Sequence, residues 1–167
     1  MDVSATTGGD EAFLLDLLNT TPVVDDVPTD ELSDLAAAST WMTAHGIDAT
    51  AEERAALVDV REALQRVVRG EAAPTVLDRF LDGVSLTPAV GDAGVSWELT
   101  GAGAPARAVL AWDGLRVHSP GRLRPCANTE CRLFLIDRSK PNTARWCSMA
   151  ICGNRMKARR HYQRSKS

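Results

Sequence analysis

Apolar residues recur at helical spacing through the first half of the chain, and polar breaks divide them into segments. In Asp10 to Leu18, Phe13, Leu14, Leu17 and Leu18 fall on one face behind Asp10, a candidate cap, which predicts an amphipathic helix. Asp16 and Asn19-Thr20 interrupt the run at its end and read as a helix-terminating Asn followed by a turn Thr. Residues 1–10 are small and polar and predict no regular structure; residues 21–29, TPVVDDVPT, predict a loop. A second helix is predicted from about Asp30 to His45, capped by Thr29 or Asp30 and stopped by Gly46. Its inward stripe is Leu32, Leu35, Ala36, Ser39 and Met42 or Thr43, and Trp41 is large enough to seal a core or to line a pocket, core being the commoner role. Thr50-Ala-Glu-Glu53 is a capping box that opens the most regular pattern of the chain, Ala51 to Arg69. There Leu57, Val60, Leu64, Val67 and Val68 repeat at helical spacing, with Arg54, Arg61, Glu62 and Arg66 off the stripe. Pro74 starts a further helix to about Asp82. Four helices with short connections predict a small bundle.

The period then changes. Val95 to Leu99 alternates apolar and polar and predicts a strand. Ala106 to Val117 fits either a short helix or a strand pair turning at Asp113-Gly114, and the Asp-Gly step favours strands. His118 to Gly121 reads as a linker. Beyond it, Leu133 to Ile136 and Ala144 to Trp146 predict two arms of a hairpin around Ser139 to Asn142, and Ser148 caps a last helix running to about Gln163.

Length and composition permit one ordinary domain plus a small appended module, with 44% hydrophobic residues among 167. No apolar run reaches the roughly 18 residues a membrane span needs. The N-terminus, MDVSATTGGDE, has neither the basic region nor the apolar core of a secretory signal, so a cytoplasmic location is expected. The net charge of −3 conceals an asymmetry: residues 1–119 carry 7 Lys+Arg against 20 Asp+Glu, or −13, and residues 120–167 carry 12 against 2, or +10. A tail so basic points to a polyanionic partner, although a solvated face or docking on the acidic half would also explain it.

All four cysteines lie between Cys126 and Cys152, as two C-x4-C pairs, Cys126/Cys131 and Cys147/Cys152, separated by fifteen residues. Four thiolates in paired loops are the ligand set of a structural Zn²⁺ with no open position. A disulfide pair or an iron–sulfur site is the lesser alternative; the first needs an oxidising compartment. The expected order of knuckle, hairpin and helix is that of a treble-clef-like finger. The helix from Cys152 onward places Arg155, Arg159 and Tyr162 along one line and Lys157, Arg160 and Arg164 along another, a phosphate-tracking surface of a width that enters a DNA major groove. The chain is thus expected to be α+β, mainly α: an N-terminal helical bundle with a small β element over 10–119, then a treble-clef-like four-cysteine zinc finger over 122–164 ending in a basic helix. No His-Glu-x-x-His, nucleophile elbow or phosphate loop occurs, which argues against an enzyme. Metal removal is expected to unfold 122–164 while the front helices persist.

The segment WCSMAICGNRMKARRHYQR, with the tetrad Cys152-Gly153-Asn154-Arg155 and the upstream RLRPCANTEC, resembles the CGNR zinc finger over about 122–164. Leu14 to Thr20, Thr40 to Ile47 and Val60 to Leu64 resemble the companion ABATE domain, whereas 100–121 departs most, being Gly/Pro-rich where relatives carry another helix. The resemblance implies a bacterial, stress-induced transcription regulator: a sensing or scaffold domain followed by a DNA-binding finger, acting at the nucleoid, with homodimers expected if it reads a palindrome. It also places Asp16, Asn19, Thr20, Trp41 and Arg61 in motif blocks, where they either bind a small-molecule effector or fix helix packing. An RNA-binding or protein-interaction module with a purely structural zinc is the competing reading.

Overall fold

A computed structural model describes residues 8–165. Of the stretch expected to lack regular structure, Gly8 to Asp10 are the first residues of helix α1 (Gly8–Leu18), and residues 1–7 lie outside the described part. The α1 face foreseen from the sequence is the buried one: Phe13, Leu14, Leu17 and Leu18 are all at most 3% exposed. Asp10 does not cap the helix but sits in its first turn, where Arg107 donates to its carboxylate at 2.9 and 3.1 Å.

The loop after α1 folds into a minimal hairpin, β1 (Val23–Val24) with β2 (Val27–Pro28), turned by Asp25 and Asp26 at positive φ. Helix α2 (Leu35–Ala44) starts five residues later than expected. Asp34 caps it, accepting from the Ala37 amide at 2.9 Å, because the Asp30 carboxylate is already held by Arg61 and the Leu32 amide. With that shift, Ala38 and Met42 face the core and Leu35 and Ala36 face solvent; Leu32 is buried from the preceding turn.

Helix α3 (Ala51–Val68) begins at the foreseen cap, Thr50 accepting from the Glu53 amide at 3.1 Å, while the Thr50 amide donates to the Asp48 carbonyl instead of to Glu53. Leu57, Val60 and Leu64 are fully buried, and so, against expectation, is Arg61. Pro74–Leu81 forms a 3-10 helix with Leu77 inward. Strands β3 (Ser85–Gly91), not foreseen, and β4 (Gly94–Thr100) pair antiparallel as a hairpin.

Helix α4 (Ala104–His118) corrects the strand reading of 106–117. Ala104, Ala106, Ala108, Val109, Ala111 and Leu115 are buried along it, which is a helical stripe of small residues against α1, α3 and the 3-10 helix. The Asp113-Gly114 step is carried within the helix. Tertiary packing of the alanine face outweighs the local turn preference, together with the helix-interior penalty of about 1 kcal/mol that glycine carries relative to alanine.

Strand β5 (Leu123–Pro125) pairs antiparallel with β6 (Phe134–Ile136), so the arm expected at 144–146 is not the partner. The hairpin instead encloses the first cysteine pair, and 144–146 crosses behind it, with the Ala127 amide donating to the Arg145 carbonyl at 2.8 Å. A π-helical turn, Met149–Gly153, leads into α5 (Asn154–Arg164). One apolar core joins the two parts of the chain: Phe134, 1% exposed, packs in the same cluster as Phe13, Leu14, Leu64 and Leu115. None of the described helices is long and apolar enough to cross a membrane.

Candidate metal centre and nucleic-acid interface

The first knuckle is the loop of the β5–β6 hairpin. The Cys126 amide donates to the Leu133 carbonyl at 2.8 Å, closing the ladder, and the Cys131 amide donates to the Asn128 carbonyl at 2.8 Å, closing the knuckle. The second pair sits at a helix start, where Ser148 accepts from the Ile151 amide at 3.4 Å and the π turn brings Cys152 round toward Cys147. All four Sγ atoms lie within 4.8 Å of one another. The Cys131–Cys147 and Cys147–Cys152 separations are both 3.7 Å. A tetrahedron of sulfurs about 2.3 Å from Zn²⁺ has edges of about 3.8 Å, and a disulfide would need about 2.05 Å. The set therefore fits one structural zinc, which when bound cross-links the hairpin to the helix start.

The surroundings suit thiolates. Asn128 is fully buried two residues after Cys126, and its Nδ2 donates to Cys152 Sγ at 3.5 Å while its Oδ1 accepts from the Glu130 amide at 3.3 Å. The Cys147 amide donates to Cys126 Sγ at 3.4 Å. Such donors orient and stabilise ligating sulfurs. Burial pushes the Cys131 thiol up to about 11, and burial together with the neighbouring sulfurs pushes Cys147 higher still. At Cys152 burial acts in the same direction but is outweighed by hydrogen bonds from Asn128 and the neighbouring thiols, and its pKa is lowered. Metal uptake at neutral pH therefore displaces protons.

Sequence reasoning passed over Asn128. A carboxamide inside a C-x4-C loop, long enough to reach a sulfur, is the signal that could have found it. Asp137, 2% exposed, was passed over too, and it folds the 137–144 loop onto itself. Its carboxylate accepts from the Ser139 amide at 2.8 Å, the Ala144 amide at 2.7 Å and Arg124 at 2.9 Å. The Ser139 side chain, then the two amides and Arg124, hold its carboxyl below the usual range against the opposing effect of burial.

Helix α5 leaves the metal centre and projects. Among its described side chains Arg155, Lys157 and Arg164 are exposed, and no acidic residue interrupts them. Arg159 is half-buried and paired with Glu130 of the first knuckle, so it braces the helix against the finger. Arg160 belongs to the same helix. At Gly153, just before it, a Cβ would stand 2.8 Å from Met149 Sδ and 3.3 Å from Trp146 Cδ1, so the half-exposed Met149 side chain would have to move aside.

The five residues expected to bind an effector or to fix helix packing fall in three places. Arg61 donates to both Asp30 carboxylate oxygens at 2.6 and 2.8 Å and to Thr20 Oγ1 at 3.0 Å, beneath the loop that joins α1 to α2. Burial raises the Asp30 carboxyl, but the Arg61 and Leu32 hydrogen bonds outweigh it and leave the pKa lowered. Asn19 clamps the finger: its Oδ1 accepts from the Phe134 amide at 2.7 Å and its Nδ2 donates to the Phe134 carbonyl at 3.2 Å. Asp16 is exposed on the far side of α1, 3.8 Å from His45 Nε2, and Trp41 is half-buried against Phe13 and His45.

A helical domain whose core continues into a four-cysteine site at the start of a projecting basic helix defines a zinc-finger protein. Comparison with family models matches residues 11–129 to ABATE, described as "Putative stress-induced transcription regulator", and residues 122–165 to the CGNR zinc finger. The chain belongs to the ABATE family and carries the CGNR finger at its C-terminal end. Comparison with curated proteins returns no match.

Proposed function

We propose that the protein is a non-enzymatic transcription regulator that binds duplex DNA through α5. The observation that carries this reading is a helix of eleven residues with no acidic side chain, largely exposed, whose start is fixed by Cys152 of the metal centre. A helix polar on all sides has no core to join, and five Lys or Arg along it match the phosphate charge of nucleic acid. Arg155, Lys157 and Arg164 make the contacts; Arg159, held by Glu130, sets the angle. Four thiolates leave no coordination position for substrate or water, which supports a structural role for the metal. The reading is tested by competing labelled duplex with unlabelled duplex and with structured RNA of equal length. Preferential displacement by duplex, lost in Arg155→Ala/Lys157→Ala, agrees with it, and preferential displacement by RNA overturns it.

Of the residues expected to meet an effector, Asn19 is the one that borders a cleft at the seam. A cleft of ≈ 430 Å³ lies between Leu15, Asn19, Pro22 and Val23 on one side and Leu133, Ile136 and Ile151 on the other, with Arg155 at its edge and the ligand cysteines Cys131, Cys147 and Cys152 in its wall, so part of that space belongs to the metal centre. That is within the size range of small-ligand pockets, which favour domain seams, and an occupant there would touch a DNA-contacting arginine.

A further inference from the structure

The β3–β4 hairpin has two chemically distinct faces. Cross-strand partners share a face and alternate residues change face. The register pairs Leu86 with Leu99, Pro88 with Trp97 and Val90 with Val95 on one side, and Ser85 with Thr100, Thr87 with Glu98 and Ala89 with Ser96 on the other. One face is therefore six apolar side chains without a charge. It is not turned to the core: Val90 is 85% exposed, Val95 65%, Trp97 42% and Leu86 39%. The hairpin packs on itself and on no other described element to any extent. An isolated two-stranded hairpin is marginal in water, and an uncovered apolar strip of this kind marks an interaction surface.

We infer that this strip is the dimer contact of the protein, covered by the same strip of a second copy around a two-fold axis. Charge decides the occupant. Asp92 stands at the hairpin tip and Glu98 on its outer face, in a half of the chain that nets −13, which repels an anionic membrane and nucleic acid alike. A basic protein partner would need an acidic counterpart on the strip, and the strip has none. What it does complement is a second uncharged strip of equal length and twist, and two-fold pairing supplies one without leaving a charge buried. Edge-to-edge pairing would extend the sheet yet leave the apolar face wet, so the copies meet face to face.

Area sets the strength. Strands of seven residues at about 3.4 Å rise, two of them about 4.8 Å apart, give a footprint of roughly 250 Å² per copy. Two copies cover about 500 Å², well short of the roughly 1,200 Å² of a stable specific interface. The dimer is accordingly weak and reversible, and two half-sites on one duplex would raise its effective concentration.

This inference goes beyond the DNA-binding reading and does not depend on it, so its test contains no DNA. Sedimentation equilibrium of the full zinc-loaded chain is run across the micromolar range. Reversible monomer–dimer association is expected, weakened at least tenfold in Val90→Lys and in Trp97→Glu and unchanged in Thr87→Lys on the polar face. Helical circular dichroism and zinc content should be equal in all four proteins, since these side chains support no core. A monomer throughout the range overturns the inference, and so does association that Val90→Lys leaves intact.

Discussion

Arg61 is the largest side chain the fold buries completely, and it lies on α3 one turn before Gln65, whose Nε2 donates to the Leu18 carbonyl at 2.8 Å and to Thr21 Oγ1 at 3.0 Å. The two side chains hold the exit of α1 and the loop that follows it. From the sequence Arg61 is off the hydrophobic stripe; a charge at the stripe's margin is visible there, but the distant carboxylate of Asp30 that makes its burial tolerable is not. Replacing Asp30 by Asn leaves the guanidinium only the exposed Glu62 carboxylate, 4.0 Å away, as counter-charge. A fully buried pair loses about 3–5 kcal/mol in this way, and because Asp30 is about one-third exposed the expected cost is nearer ~2 kcal/mol, read by urea denaturation. The folded pKa of Asp30 is lowered, so its contribution is complete above the unfolded value of about 3.9 and is lost as pH falls through the lower folded value. Between about pH 4 and pH 2 the stability of Asp30→Asn should therefore decline less steeply than that of the parent. At the metal centre, Asn128→Ala removes the donor to Cys152 and should reduce zinc affinity about 10–100-fold in chelator competition, with the four ligands unchanged.

At the scale of elements, helices α1, α2, α3 and α5, the helical turn opened by Pro74, strands β4 and β6 and the cysteine pairs are legible in the sequence because each carries its own period, cap or spacing. Helix α4 is not. Its buried stripe is mostly alanine, which gives little hydrophobic contrast, and the Asp-Gly step inside it imitates a turn. Strand β3, with Pro88 in its middle, is admissible only because the hairpin has free edges. The partner of β6 is misassigned for a different reason: register depends on the hydrogen bonds of the Cys126–Cys131 knuckle, which spacing alone does not contain. Asn19 stands in a motif block, yet its work is at the seam, where one carboxamide satisfies both the amide and the carbonyl of Phe134. Asn19→Ala leaves both groups unpartnered and part-buried, an expected loss of about 2 kcal/mol. The loss should appear as a lowered melting temperature with zinc content unchanged.

For the whole molecule, the seam changes what metal removal does. The sequence divides the chain at about residue 120 and leaves the front helices indifferent to the finger. In the fold, Phe134 lies in the shared core, Arg69 stacks over its ring at 4.6 Å, and Leu123 and Ile136 pack on the same cluster. Zinc holds β5 and β6 in the shape that inserts Phe134, so chelation should also destabilise α1, α3 and α4. A single melting transition shifted downward on chelation is expected, followed by far-ultraviolet circular dichroism. The same continuity makes the acidic domain the mount for α5, which is why a helix with so few contacts of its own can hold basic side chains on both of its flanks at a fixed angle.

Salt dependence tests DNA contact through the two flanks of α5 most directly. Titration of mixed-sequence duplex with the zinc-loaded chain at a series of salt concentrations should give a log–log slope of about −3 for three phosphate contacts, from Arg155, Lys157 and Arg164, falling by about one unit in Arg155→Ala. No binding at low salt, or binding without a salt slope, would contradict it.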